Sequence, residues 1–186
     1  MELDQNKTYS ISDLRYLMER LRDPKIGCPW DRKQTYDSLV EFTLEEVYEV
    51  IDAIDCNDFE HLSEELGDLL FQIIFYSQIG AEQKHFDFDD VISGVTAKLI
   101  RRHPHVFPNG TLDSSRLEIG DLDSDDINID WEAIKKQERV RKGISRGLDD
   151  VPLALPALKR ALKLQKRAAQ TGFDWPTVDS VLSKVD

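Results

Sequence analysis

Cysteine is scarce in this 186-residue chain: Cys28 and Cys56, 28 positions apart, are the only two. Neither a disulfide framework nor a Cys-x-x-Cys metal knuckle can be built from them, and a reducing compartment fits. Glycine and proline, nine and seven residues, are too few for a collagen-like or low-complexity chain, and 40% apolar residues are too many for a wholly disordered one. A long hydrophobic run is also missing. The longest apolar cluster, Leu69 to Tyr76, is eight residues and is interrupted by Gln72, against the roughly 20 that a membrane-spanning helix needs. The start, Met1-Glu2-Leu3-Asp4, lacks the basic and apolar regions of a signal peptide, so a cytoplasmic location and no membrane partner are expected. Basic residues are in deficit: 24 Lys and Arg against 36 Asp and Glu leave a formal charge of −12. Direct nucleic-acid binding is not expected of such a chain, and a phosphate-bearing substrate would need metal ions to meet it.

What is present is helical periodicity. Ser10 to Leu21 repeats Ile11, Leu14, Leu17, Met18 and Leu21, with Ser10 or Ser12 available as N-cap. Tyr36 to Ile54 repeats Leu39, Phe42, Val47, Val50, Ile51 and Ile54; Phe59 to Ile79 is apolar on most sides after Asp68; Asp87 to Arg102 carries Val91, Ile92, Val95 and Leu99 behind a capping Asp87. Short connections and no alternating strand pattern predict an all-α, four-helix bundle over residues 1–107. From Asp113 to Asp130, seven acids against one base, Arg116, read as part of a flexible acidic linker spanning 108–130. Beyond it, Trp131 to Arg141 and Pro152 to Gln170 are expected to be helical.

The acids that carry chemistry are fewer. Glu46 and Glu49 on the second helix, and Glu65 and Asp68 on the third, are each spaced i, i+3, so each helix points two carboxylates in one direction. Leu39, Phe42, Val50 and Ala53 fall within about 40° of Glu46 on a helical projection, which puts this glutamate inside the apolar stripe. Glu45 lies farther round and is expected to be a supporting or solvated residue. Like charges at a core edge must be protonated, paired with bases or bound to cations. Hard divalent ions suit an all-carboxylate set, and Mg²⁺ suits one that also takes substrate phosphates as ligands. Solvent-facing acidic edges paired with Lys or Arg are the alternative. A di-iron bundle expects Glu-x-x-His pairs, which His61 and His85 do not supply.

Opposite charge comes from Lys98, Arg101 and Arg102, at i, i+3 and i+4 on the fourth helix. They complement the helix C-terminus and are also candidates for phosphate binding. Trp30, in the Gly27-Cys28-Pro29-Trp30-Asp31 turn, either covers the end of the bundle or stacks on a base, and Lys33 and Asp31 share its loop.

Glu45-Glu46-Val47-Tyr48-Glu49, then after 15 residues Glu65-Leu66-Gly67-Asp68, resembles the Glu-Glu-x-x-Glu and Glu-x-x-Asp signature of the MazG nucleoside triphosphate pyrophosphohydrolases. Leu21-Arg22-Asp23-Pro24, Gly27 to Asp31, and Arg101-Arg102-His103-Pro104-His105-Val106-Phe107 look like the same family. The resemblance implies an α-helical enzyme that hydrolyses nucleoside triphosphates to monophosphate and pyrophosphate. It implies Mg²⁺, with Mn²⁺ as a substitute, held by Glu46, Glu49, Glu65 and Asp68, and Glu46 or Glu49 handling the attacking water. Lys98 and Arg102 would contact the β and γ phosphates, and a homodimer is favoured. A catalytically weak nucleotide-binding or regulatory module is the other function expected of this fold. Gly172-Phe173-Asp174-Trp175 resembles Gly27-Cys28-Pro29-Trp30, so 131–186 is expected to be the helical remnant of a second, truncated domain without metal ligands.

Overall fold

The computed structural model describes residues 8–114, 131, 134, 137, 138, 148, 151–169, 171–175 and 177–184. Among them every regular element is helical: α1 (Ile11–Leu21), a 3-10 turn (Asp31–Lys33), α2 (Val40–Cys56), α3 (Phe59–Glu82), α4 (Phe88–Arg102), α5 (Ala157–Ala169) and α6 (Val178–Leu182). The chain separates into two units, residues 1–99 and 100–186, with the division inside α4. The acidic stretch 115–130, and most of the helix expected from Trp131 to Arg141, lie outside the described residues.

In the first unit, α1 begins where Ser10 and Asp13 cap each other, side chain to backbone in both directions. The second helix starts four residues later than its periodicity predicts. Thr35 and Ser38 exchange side-chain and backbone hydrogen bonds, closing a turn over the first part of the expected helix, and the helix proper begins at Val40. Its end is abrupt: Asn57 takes a left-handed conformation (φ 56°) and Asp58 caps α3 by accepting from the His61 amide at 3.1 Å. This two-residue link sets α2 beside α3. Asp87 and Asp90 repeat the reciprocal cap at the start of α4. Between α3 and α4 the chain folds back so closely on Gly80 that a Cβ there would sit 2.7 Å from the Phe86 carbonyl oxygen.

The core sits on the C-terminal half of α3. Ile74, Phe75 and Ile79 pack with Met18 of α1, Leu39 and Phe88, and Leu14, Tyr36, Phe42, Leu70, Phe71 and Tyr76 surround them. Thr43 and Tyr76 share a hydrogen bond of 2.9 Å between α2 and α3. The apolar pattern of α2 is wider than its packing: Val47, Ile51 and Ile54, expected in the core stripe, are exposed together with Val40, Leu44 and Tyr48. The packed side is Leu39, Phe42, Val50 and Ala53, the side that also holds Glu46. On α4, Val91, Ile92, Val95 and Leu99 are likewise exposed, and only Phe88 is buried.

In the second unit, α5 starts at Ala157 and not near Pro152. Pro152 and Pro156 each lack an amide donor and bias the residue before them away from helical geometry, and the first helical bond, from the Arg160 amide, ends on the Pro156 carbonyl at 2.9 Å. Gly172 (φ 85°) closes α5, whereas Gly27 is held by the neighbouring backbone: a Cβ on it would lie 2.6 Å from the Asp23 carbonyl oxygen. The two glycine-to-tryptophan turns are therefore built differently.

Candidate functional site

The short α2–α3 link makes the two helices antiparallel neighbours, and three of their four i, i+3 acids meet. One carboxylate oxygen each of Glu46, Glu49 and Glu65 lies within 4.8 Å of the others. Glu65 is buried, Glu46 half-buried and Glu49 exposed, so the group has a closed side and an open one. Asp68 falls outside this close trio but near enough for its charge to act on both Glu46 and Glu65. Glu45 is exposed.

No Lys or Arg forms an ion pair with Glu46, Glu49, Glu65 or Asp68 among the described residues. His61 is the one basic partner, with its Nδ1 3.1 Å from Glu65. The electrostatics follow. Burial, then the charges of Asp68, Glu49 and Glu65, push the Glu46 carboxyl above its ordinary value, against a lowering contribution from its Gln72 hydrogen bond. Burial and then Glu49 raise Glu65, with His61 opposing. Three oxygen donors converging with one histidine and, among the described residues, no Lys or Arg to neutralise them are the donor set of a hard divalent cation, and the trio could hold one.

Gln72 belongs to the same environment and was not among the expected site residues. Buried one turn beyond Asp68, it donates its amide to Glu46 at 3.4 Å, and its Oε1 has no hydrogen-bond partner among the described residues. The signal was in the sequence: a lone amide inside the apolar run Leu69 to Tyr76, four residues after an acid.

Trp30 is half exposed and meets Phe42 edge-on at 5.6 Å, so one ring face is not taken up by that contact. Its loop is held from behind by Arg22, which donates to the carbonyls of Asp31 and Gln34 while pairing with Glu82 at 2.7 Å. Asp31 is buried and Lys33 exposed. Lys98 is half-buried on α4. Arg101 and Arg102, at the end of that helix in the second unit, are both engaged by Glu138.

The model of the MazG nucleotide pyrophosphohydrolase domain matches residues 34–107, the stretch that contains all four acids. Those residues form a MazG-type domain. It is 48% identical to the nucleoside triphosphate pyrophosphohydrolase of Escherichia coli (strain K12) over 175 residues, 94% of this chain and 63% of that protein. Over 176 residues it is 41% identical to the nucleoside triphosphate pyrophosphohydrolase/pyrophosphatase MazG of Thermotoga maritima, covering 95% of this chain and 63% of that one. The chain thus spans about 63% of the length of these curated relatives. A crystal structure of a MazG-related protein from Thermotoga maritima superposes with a TM-score of 0.54 at 26% identity, over 68% of this chain and 99% of that chain. The helical MazG-like fold is therefore common to the sequence and structural comparisons.

Proposed function

We propose that this MazG-family chain is a Mg²⁺-dependent nucleoside triphosphate pyrophosphohydrolase that converts a triphosphate and water to the monophosphate and pyrophosphate. The observation that carries the reading is the convergence of Glu46, Glu49 and Glu65 within 4.8 Å, partly buried and without a Lys or Arg partner among the described residues. The names of the relatives from Escherichia coli and Thermotoga maritima support the same chemistry. In this reading Glu46, Glu49, Glu65 and Asp68 hold Mg²⁺, or Mn²⁺ in its place. When bound, the cation would polarise the phosphoryl oxygens and stabilise the charge that develops on the leaving pyrophosphate.

The protein's own groups then divide the remaining work. Glu46, oriented by Gln72, takes the proton from the attacking water, and Glu49, more exposed, is the other candidate for that step. Glu45 supports the set from outside. Lys98, Arg101 and Arg102 meet the β and γ phosphates, the arginines through paired N–H donors that suit phosphate oxygens. Trp30 offers a stacking wall for the base, and Lys33 a cation in the same loop. The exposed apolar stripes of α2 and α4 support a homodimer, since faces of this length are normally covered. A cytoplasmic setting is consistent with the absence, among the described residues, of any helix long and apolar enough to cross a membrane.

Product analysis tests the reaction. Purified chain incubated with several triphosphates and Mg²⁺ should release pyrophosphate and monophosphate, and Glu49→Gln and Asp68→Asn should abolish the release. Orthophosphate as the sole inorganic product would indicate a different hydrolase; no turnover with any triphosphate would leave a binding module.

A further inference from the structure

The two arginines at the end of α4 already hold an oxyanion. Arg101 approaches Glu138 with Nε at 2.7 Å and Nη2 at 2.6 Å, both to Oε1. Arg102 approaches the other oxygen, with Nε at 3.2 Å and Nη2 at 2.6 Å from Oε2. Each guanidinium thus presents its Nε–Nη2 edge, the paired-donor edge that binds carboxylate and phosphate oxygens alike. One carboxylate takes both edges at once, an oxygen to each, and so occupies the place of two non-bridging oxygens of a phosphoryl group. Glu138 is largely buried in this contact, with 14% of its side chain exposed.

The segment that delivers Glu138 is docked at a second point. Trp131 and Glu138 are both helical positions. The Trp131 ring lies 5.9 Å from His103, directly after α4. Two residues beyond α4 therefore meet its end, Trp131 through the aromatic contact and Glu138 through the double ion pair. A purely structural clasp needs only one arginine; here the same carboxylate engages the donor edges of two.

We propose that Glu138 is a built-in competitor for the Arg101–Arg102 anion site, filling it with a carboxylate until the phosphates of a triphosphate displace it. This regulation rests on the assignment of Arg101 and Arg102 to phosphate binding made above. It makes apparent affinity depend on how often the clasp is open: a site open one time in ten binds about tenfold more weakly than its intrinsic affinity.

Inorganic tripolyphosphate with Mg²⁺ is a probe without a base, and calorimetry on the full chain gives its affinity. Glu138→Gln is expected to tighten binding by about tenfold, and Arg102→Ala to weaken it. In the double variant the gain from Glu138→Gln should shrink, because part of the competed site is gone. If Arg102→Ala weakens binding but Glu138→Gln leaves it unchanged or weaker, the arginines bind phosphate and Glu138 merely positions them; the competition is then wrong while the phosphate assignment stands. If Arg101→Ala and Arg102→Ala both bind as the parent does, the phosphate assignment fails and the competition with it. Hydrogen exchange on the unsubstituted chain supplies a test that needs no variant. The amides of Glu138 and of the described helical position 137 beside it should exchange faster when tripolyphosphate is added, and unchanged or slower exchange would overturn the proposal.

Discussion

Replacing Arg22 with alanine should cost about 3 kcal/mol of stability, far more than a surface charge would. Only 7% of the Arg22 side chain is exposed. Its Nε and Nη2 bind both oxygens of Glu82 at 2.8 and 2.7 Å, its Nη1 serves the carbonyls of Asp31 and Gln34, and its guanidinium lies 5.4 Å from the centre of the Phe75 ring. Glu82 is partly exposed and can rehydrate, so the ion pair alone contributes at most about 1 kcal/mol. The carbonyls lose a charged donor, about 1.5–3 kcal/mol. The ring contact adds about 0.5–1 kcal/mol. These contributions overlap, which places the total near the lower end of the ~3–5 kcal/mol seen when a buried ion pair loses one member. Arg22→Lys should still lose about 2 kcal/mol, because an ammonium cannot serve the carboxylate and both carbonyls together. Urea unfolding followed by far-UV circular dichroism measures both, with the slope m held as a check on the unfolded state. The reasoning also fixes a pH sign. Burial would raise the Glu82 carboxyl, but its hydrogen bonds from Arg22 and Gln78 prevail and hold it below its ordinary value of 4.5. Its contribution is therefore present above about pH 4.5 and is lost as the pH falls through the lower, folded-state value. The gap between parent and Arg22→Ala should narrow on acidification. A loss below about 1 kcal/mol at neutral pH, or a gap that widens in acid, would refute the account.

Other expectations follow from the same geometry. Glu65→Gln should raise the melting temperature of the metal-free chain, because burial and Glu49 disfavour the ionised form; stability contributed by a carboxyl with a raised folded value is full below 4.5 and declines as pH rises through that value, so the gain should be largest at neutral pH and fade in acid. Added Mg²⁺ should stabilise the parent and not Glu65→Gln, a difference that thermal shift measurements with and without chelator will show. Phe75→Ala removes a side chain that is 1% exposed at the centre of the core and should cost about 3–5 kcal/mol in urea unfolding. Asp58→Ala deprives the α3 N-terminus of its cap and should cost about 1 kcal/mol by the same assay, with Asp58→Asn recovering most of it.

The helices, their caps and the meeting of the acids were legible from spacing because each depends on neighbours within one or two turns. Ser10 and Asp87 are polar residues directly before helical periods, and Glu46, Glu49 and Glu65 need only antiparallel packing to converge. What misled was apolar content. Val47, Ile51 and Ile54 have the right residue type for a core, yet α2 carries apolar residues on more than half its circumference, and a single-chain pattern cannot say which part packs against α3. The late start of α2 was hidden for a different reason: Thr35 and Ser38 are compatible with a helix by period but use their hydroxyls to close a turn. Glu138 lay beyond reach because its partners are 36 and 37 residues away, and no local rule pairs them.

The position of the trio along α3 explains how a fold tolerates it. Residues 59–68 of this helix contribute one buried side chain, Glu65 itself, while Phe59 and Leu66 face water. The next stretch, 72–80, contributes Gln72, Ile74, Phe75, Ser77, Ile79 and Gly80, and it is there that Met18, Leu39 and Phe88 pack. Helical cooperativity lets the second half hold the first in register: α3 is continuous for 24 residues, so a backbone anchored at Phe75 fixes Glu65 three turns away. Glu65 can therefore stand closer to Glu46 and Glu49 than its charge favours, since the acid and the contacts that anchor its helix are on one continuous rod. A cut in that rod should uncouple them. Glycine substitutions at Leu69 and Leu70, between the two halves, should loosen the Glu46–Glu49–Glu65 group more than they loosen the Phe75 core, and hydrogen exchange resolved along α3 would show protection falling on the Glu65 side first. Equal loss on both sides would mean that the trio is held by α2 and not by the continuity of α3.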